Sequence, residues 1–214
     1  HRFQRRILFL RADPIQGDRK RDAGIHHDRQ LIGGIDDFRL ADAARNELNR
    51  RRIPFRQFEH REAIAAQLLL RLVETALQRI DGVPMRIADV GTGSGAIAVA
   101  LAARKPNVEI WAIDTNEEAV RLARENAERL GVADRVHVLQ GDLLEPLPAP
   151  VDLIVANLPY LPKAQHDARY DDEPEDAIYA SGDGLDVYRR LLDACRDGKL
   201  KPGGTVVLQY QGEP

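Results

Sequence analysis

The stretch Arg86-Ile87-Ala88-Asp89-Val90-Gly91-Thr92-Gly93-Ser94-Gly95 decides how the rest of this chain is read. A short apolar run that stops at an acid and enters a glycine-rich turn has the pattern of a buried parallel strand, followed by the loop into a helix. Alternate glycines let the backbone approach a ligand, because they lack a Cβ and tolerate φ > 0. The next residues, 96–103, are small and apolar enough for a helix that lies tightly on a sheet, with its free N-terminal amides aimed at the turn. The site is of nucleotide type. Its Gly-x-Gly-x-Gly spacing differs from the Gly-x-Gly-x-x-Gly that fits a pyrophosphate, so a dinucleotide is the weaker reading.

Downstream the pattern repeats. Pro106-Asn107 breaks the chain, and residues 108–114 read as a second strand ending in an acid. Asp114 stands 19 residues beyond Gly95, close to the separation of about 20 at which an acid binds a ribose diol in nucleotide-binding α/β folds. A carboxylate suits that task because it only accepts hydrogen bonds and holds two hydroxyls at once. Thr115-Asn116-Glu117-Glu118 supplies a helix cap of its own. Residues 117–130 then read as an amphipathic helix with Ala119, Leu122, Ala123, Ala127 and Leu130 facing inward and Gly131 as its stop. A third strand, 135–140, leads to Gly141-Asp142, where Asp142 is placed to accept from an adenine amine while Leu143 packs on the ring. A fourth strand, 151–156, ends at Asn157-Leu158-Pro159-Tyr160. Polar, aromatic and proline chemistry at the carboxyl end of a central strand marks where catalysis is expected in an open α/β sheet. A helix over 185–194 and a turn at Pro202-Gly203-Gly204 lead to a fifth strand, 205–209.

Upstream, residues 62–80 are helical in pattern, with Ile64, Leu68, Leu72, Ala76 and Ile80 four apart, and Asp81-Gly82-Val83-Pro84 stops them. Residues 1–61 differ: arginine is dense, no period of two or 3.6 is sustained, and only 40–52 suit a helix. An arginine-rich arm can touch RNA, but interleaved aspartates dilute any positive face. This segment reads as irregular, either disordered or a translation artefact, and residues 62–214 as the functional domain. His26-His27 and His60 lack a ligand-spaced partner, so no metal site is expected.

The chain's 214 residues suit one α/β domain plus an appendage. A net charge of −3 with 30% charged residues gives no global attraction to nucleic acid or anionic membrane. A single cysteine, Cys195, excludes an intramolecular disulfide and reads as a packed thiol in a reducing compartment. No apolar run approaches the ~20 residues that span a bilayer, and Ile7-Leu8-Phe9-Leu10 is too short for a signal peptide. These features predict a cytoplasmic protein.

The motifs Ala88–Gly95, Ile113-Asp114, Gly141-Asp142-Leu143, Val155-Ala156-Asn157-Leu158-Pro159-Tyr160, Glu173-Pro174, Asp183-Gly184-Leu185-Asp186 and Leu200-Lys201-Pro202-Gly203-Gly204 occur in this order. Together they resemble the class I S-adenosylmethionine-dependent methyltransferases. More narrowly, they resemble the protein-(glutamine-N5) methyltransferases that modify peptide-chain release factors. The resemblance covers roughly residues 68–209. It implies an α/β, Rossmann-like three-layer sandwich with a mostly parallel sheet, here truncated after the fifth strand where the family has two more. It implies S-adenosyl-L-methionine as cofactor, with Asp89, Gly91, Thr92, Gly93, Ser94 and Gly95 around its methionine portion, Asp114 on the ribose, and Asp142 with Leu143 at the adenine. Asn157, Leu158, Pro159 and Tyr160 are implied to hold the glutamine of a release factor's Gly-Gly-Gln loop. Asn157, Pro159 and Tyr160 are the implied catalytic residues, and Asn157 also borders the cofactor.

The chemistry of an amide explains why such a turn suits it. A primary amide nitrogen is a poor nucleophile, because its lone pair is delocalised into the carbonyl. The Asn157 side-chain oxygen and the Leu158 backbone carbonyl would accept its two N–H groups and aim the lone pair at the methyl carbon, while Tyr160 packs on the amide plane. Alignment and electrostatics then supply the rate, without a strong base. Three features depart from the family. Leu158 stands where it usually has proline, its N-terminal helical domain is not recognisable in residues 1–61, and residues 207–211 replace its acid-containing strand end. Three alternatives stay open. Methylation of an exocyclic base amine in RNA or DNA would want a basic channel, against which Asp171-Asp172-Glu173 argues. A non-catalytic cofactor-binding module is the second. A dinucleotide dehydrogenase is the third, without the glycine spacing.

Overall fold

The computed structural model describes residues 4–12, 25–27, 60–158, 161–162, 179–180 and 185–212. Along them run β1 (Gln4–Ala12), β2 (Ile25–His27), α1 (His60–Leu77), β3 (Met85–Val90), α2 (Ala96–Arg104), β4 (Val108–Asp114), α3 (Glu117–Arg129), β5 (Val136–Gln140), β6 (Val151–Ala156), β7 (Leu161–Pro162), β8 (Tyr179–Ala180), α4 (Asp186–Ala194) and β9 (Leu200–Gly212). Two compact units divide the chain: residues His1–Asp28 with Leu72–Pro214, and Arg29–Arg71.

Seven strands form one sheet in the order β2-β1-β9-β6-β3-β4-β5. From β9 to β5 every neighbouring pair is parallel, so the expected Rossmann-like, mostly parallel sandwich is the fold. The last four residues of β3 and of β6 are all buried, as parallel strands covered on both faces require. Successive residues point to opposite faces. Ala88, Val90, Ile154, Ala156 and Leu208 share a core cluster with Tyr188 and Leu191 of α4. Asp89, between Ala88 and Val90, instead accepts a hydrogen bond from the Ala98 amide of α2. Helix α2 therefore lies on one face and α4 on the other, giving three layers.

Strands β4 and β6 have the bounds the sequence predicts, and four elements differ. The predicted helix over 62–80 runs from His60 to Leu77, and a turn closed by Arg79 N–H to the Ala76 carbonyl follows it. In α3, Leu122 and Leu130 are not inward: they are 39% and 40% exposed. Val120, Ala123 and Ala127 make the buried stripe instead. The stripe is narrow and small because α3 presses on the glycine turn, with Ala123 Cα only 3.1 Å from where a Cβ on Gly95 would sit. Strand β9 starts earlier and ends later than 205–209. Leu200 pairs with Val151 and Thr205 with Leu153, so the predicted Pro202-Gly203-Gly204 turn survives as an irregularity within it.

The fourth difference is at the sheet edge. The arginine-rich pattern of residues 4–12 predicts no element, yet β1 runs antiparallel along β9 from Gln4↔Gly212 to Arg11↔Thr205, and β2 pairs antiparallel with β1. An open strand edge offers a row of unpaired backbone groups to any extended chain, so β1 is set by its partner rather than by a periodicity of its own. The helix predicted over 40–52, the acidic stretch Asp171-Asp172-Glu173 and the loop Ser181-Gly182-Asp183-Gly184 lie outside the described residues. Among the described residues no helix is long and apolar enough to cross a membrane.

Candidate active site

The chain runs from β3 outward to β4 and β5, then returns to β6 and β9 on the other side. Strand order therefore reverses between β3 and β6, and the crevice outside the carboxyl ends at such a switch point is where open α/β sheets bind ligands. The tips of β3, β4, β5 and β6 carry the predicted site residues.

At the tip of β3, Gly91, Gly93 and Gly95 have φ of 69°, 54° and 77°, the left-handed region in which a side chain is strained. The turn hangs on β4, for the Gly91 and Thr92 amides both donate to the Ile113 carbonyl at 2.9 and 3.0 Å. A Cβ on Gly91 would meet Leu158 Cδ2 at 2.8 Å, whereas one on Gly93 would meet nothing within 4 Å. The turn is thus walled by Leu158 at its start and open at its middle. The Ser94 carbonyl accepts from Asn126 Nδ2 of α3 at 2.8 Å.

Asp89 lies behind this turn, fully buried. Its Oδ2 accepts from Thr92 Oγ1 at 2.7 Å and from the Ala98 amide at 3.0 Å, tying the glycine turn to the start of α2. Its Oδ1 has no partner among the described residues. Burial pushes the Asp89 carboxyl up from 3.8 to about 6; the hydrogen bonds from Thr92 and Ala98 oppose that rise and the charge of Asp114 adds to it. Thr92 is buried too, so its side chain supports Asp89.

Asp114 ends β4 half-buried. Its Oδ2 accepts from the Gly93 amide at 2.8 Å and its Oδ1 from the Asn116 amide at 3.0 Å. Each oxygen keeps a lone pair for a hydroxyl. Asn116 caps α3 through its side chain, so Asp114 is not spent on that task. Beyond β5, Gly141 donates to the Asp114 carbonyl at 3.0 Å and is confined by Pro146, whose Cγ would lie 2.7 Å from a Cβ there. Asp142 forms an ion pair with Arg190 of α4. Leu143, buried, is the one described non-glycine residue with positive φ, at 50°.

At the tip of β6, Asn157 is exposed and Leu158 buried. The Asn157 carbonyl lies 3.9 Å from the position a Gly91 Cβ would take, so the β6 and β3 tips adjoin. The Leu158 carbonyl, predicted to receive a substrate N–H, already accepts from the Tyr188 hydroxyl at 2.9 Å, which leaves it one lone pair. Pro159 and Tyr160 lie outside the described residues. His137 sits mid-strand, 3.1 Å from Glu109 and with its ring 5.4 Å from that of Trp111. It stands apart from the tips.

Three residues here escape the sequence reading: Tyr188, Arg190 and Asn126. A tyrosine buried on an apolar helix stripe needs a partner for its hydroxyl, which was the available signal for Tyr188. Asp114 stands at these tips with a lone pair to spare on each oxygen, while Asp142 is paired with Arg190 and Asp89 is buried behind the turn. A ribose diol fits the spare lone pairs of Asp114, with Gly93 as the open cradle beside them for the rest of the cofactor.

Residues 59–172 match the methyltransferase small domain family. Among curated relatives, the chain is 45% identical to a release factor glutamine methyltransferase of Moorella thermoacetica over 143 residues, covering 64% of this chain and 50% of that protein. It is 42% identical to one from Gloeobacter violaceus, over 58% of this chain and 45% of the relative, and 38% identical to one from Escherichia coli, over 66% and 53%. The chain spans about half the length of the curated relatives it matches. A solved ribosomal protein L11 methylase from Lactobacillus delbrueckii subsp. bulgaricus shares 26% identity at a TM-score of 0.47, over 66% of this chain and 59% of that one.

Proposed function

This chain belongs to the methyltransferase small domain family, and from that membership we propose that it moves a methyl group from S-adenosylmethionine to a planar amide nitrogen, the side chain of a release-factor glutamine. The observation that carries the proposal is the placement of exposed Asn157 on the β6 tip beside the Gly91 turn. An amide acceptor held there faces the crevice in which the acids of β4 and β5 stand. The names of the relatives, 38 to 45% identical, support the same acceptor.

When bound, S-adenosylmethionine supplies an electrophilic methyl carbon on a sulfonium. The chain's own residues do the rest. Gly93 leaves room for the methionine portion, and Asp89, behind the turn, holds Thr92 and the start of α2 in place around it. Asp114 takes the ribose hydroxyls with the lone pairs left by Gly93 and Asn116, and Asp142 with Leu143 borders the adenine. Asn157 accepts an amide N–H and turns the nitrogen toward the methyl carbon. Orientation of this kind replaces a base, since the proton leaves after transfer.

The test is to incubate the chain with methyl-labelled S-adenosylmethionine and a release factor bearing Gly-Gly-Gln, with the same factor carrying Gln→Ala and with RNA as controls. Label on the glutamine is expected. Asn157→Ala should abolish it while S-adenosylmethionine affinity by calorimetry stays within a few-fold. Label on RNA alone would move the acceptor to a base amine, and cofactor binding without any transfer would leave a binding module.

A further inference from the structure

The β6–β9 ladder ends at Ala156↔Leu208. Beyond that rung the two strands are joined by a side chain: the Tyr188 hydroxyl lies 2.9 Å from the Leu158 carbonyl and 2.7 Å from the Gln209 carbonyl. Two carbonyls facing each other need a shared donor, and a phenol brings one proton that serves both in turn. The Leu158–Pro159 peptide has no N–H, so its carbonyl is the only handle by which that unit is held. Tyr188 itself is 6% exposed and packed within the core cluster that includes Leu158, Ala156 and Leu208, which restricts where its hydroxyl reaches.

We propose that Tyr188 is a positioning residue: by bridging Leu158 and Gln209 it fixes the direction in which the Asn157-Leu158 turn leaves the sheet, and with it the aim of Asn157. The kinetic part rests on the amide-methylation reading above; the bridge itself does not. Asp89, Asp114 and the glycine turn have hydrogen bonds of their own, and phenylalanine would keep the ring that packs with Leu143 and Leu158, so loss of the hydroxyl alone acts on the rate of transfer and not on cofactor binding.

The full chain is compared as wild type, Tyr188→Phe, and a variant with 4-aminophenylalanine at 188, which keeps a donor. In Tyr188→Phe the carbon-13 resonances of the Leu158 and Gln209 carbonyls are expected to move, and kcat to fall about tenfold, the effect of one ordinary hydrogen bond. KM for the release factor and the S-adenosylmethionine Kd should hold, and the amino variant should recover kcat. An unmoved Leu158 carbonyl, or a loss of Kd in step with kcat, overturns the proposal. If the wild type labels no release factor, the acceptor reading fails and the carbonyl shift alone decides the bridge. Should Tyr188→Phe not fold, the isotope shift of the wild-type Leu158 carbonyl between H2O and D2O decides it, absence of a shift counting against.

Discussion

Replacing Asp89 by asparagine should remove a pH dependence that this one side chain imposes on stability. The carboxyl titrates near its ordinary 3.8 in the unfolded chain and at about 6 in the folded one, burial being the main cause. Between those values the folded state holds a proton that the unfolded state has lost, so stability falls as pH rises from about 4 to about 6 and then levels. The rise from 3.8 to about 6 corresponds to ~3 kcal/mol. Asparagine keeps an oxygen for Thr92 and the Ala98 amide but cannot ionise, and it places an N–H group where Oδ1 is orphaned, at a cost of about 1–3 kcal/mol. The net change at pH 7 is therefore small and the slope is the diagnostic quantity. Urea unfolding of both proteins at pH 4, 5, 6 and 7 measures it, because every other titrating group cancels in the difference. The wild type should lose about 2 to 2.5 kcal/mol relative to the variant between pH 4 and pH 7, part of the full effect lying below that range. A flat difference would refute the account of Asp89.

The glycine turn, the β4 tip and the buried thiol each carry a further expected outcome. Gly91→Ala adds a Cβ at φ 69° and 2.8 Å from Leu158 Cδ2; thermal unfolding should show a loss of about 1–2 kcal/mol, with methyl transfer reduced further because Leu158 must shift. Asp114→Ala removes the acceptor at the β4 tip and frees the Gly93 amide, so calorimetry should find S-adenosylmethionine binding weakened by an order of magnitude or more, and unchanged affinity would sink the ribose assignment. Cys195 is buried, and burial pushes its thiol up to about 12; iodoacetamide at pH 8 should leave it unmodified in the folded protein and alkylate it in urea, and rapid labelling without urea would contradict the core packing.

The strand tips were legible because each is written locally. An apolar run leads to Asp89 before the glycines, to Asp114, to Gly141-Asp142 and to Asn157, and each of these stands at or just beyond the end of a strand. What was not legible depends on partners far along the chain. Strand β1 exists through the open edge of β9, and nothing in Arg5-Arg6-Ile7-Leu8 announces it. Leu122 looks like core by type, but the closeness of α3 to Gly95 admits only small residues there, and Val120 with Ala123 and Ala127 fills the contact instead. Tyr188 and Arg190 sit on an ordinary amphipathic helix; their reach to Leu158 and Asp142 emerges only once α4 is laid across the sheet.

The pairing of β1 with β9 joins residues about 200 apart, as Leu8 does with Leu208. On the ribosome, β1 emerges long before its mate is translated and must wait without that backbone partner. Such distant registration costs loop entropy before it returns any contact, so closure of this edge should be a late and slow event. Until it occurs, the waiting strand is open to pairing with a neighbour's edge, and chaperone capture during translation would protect it there.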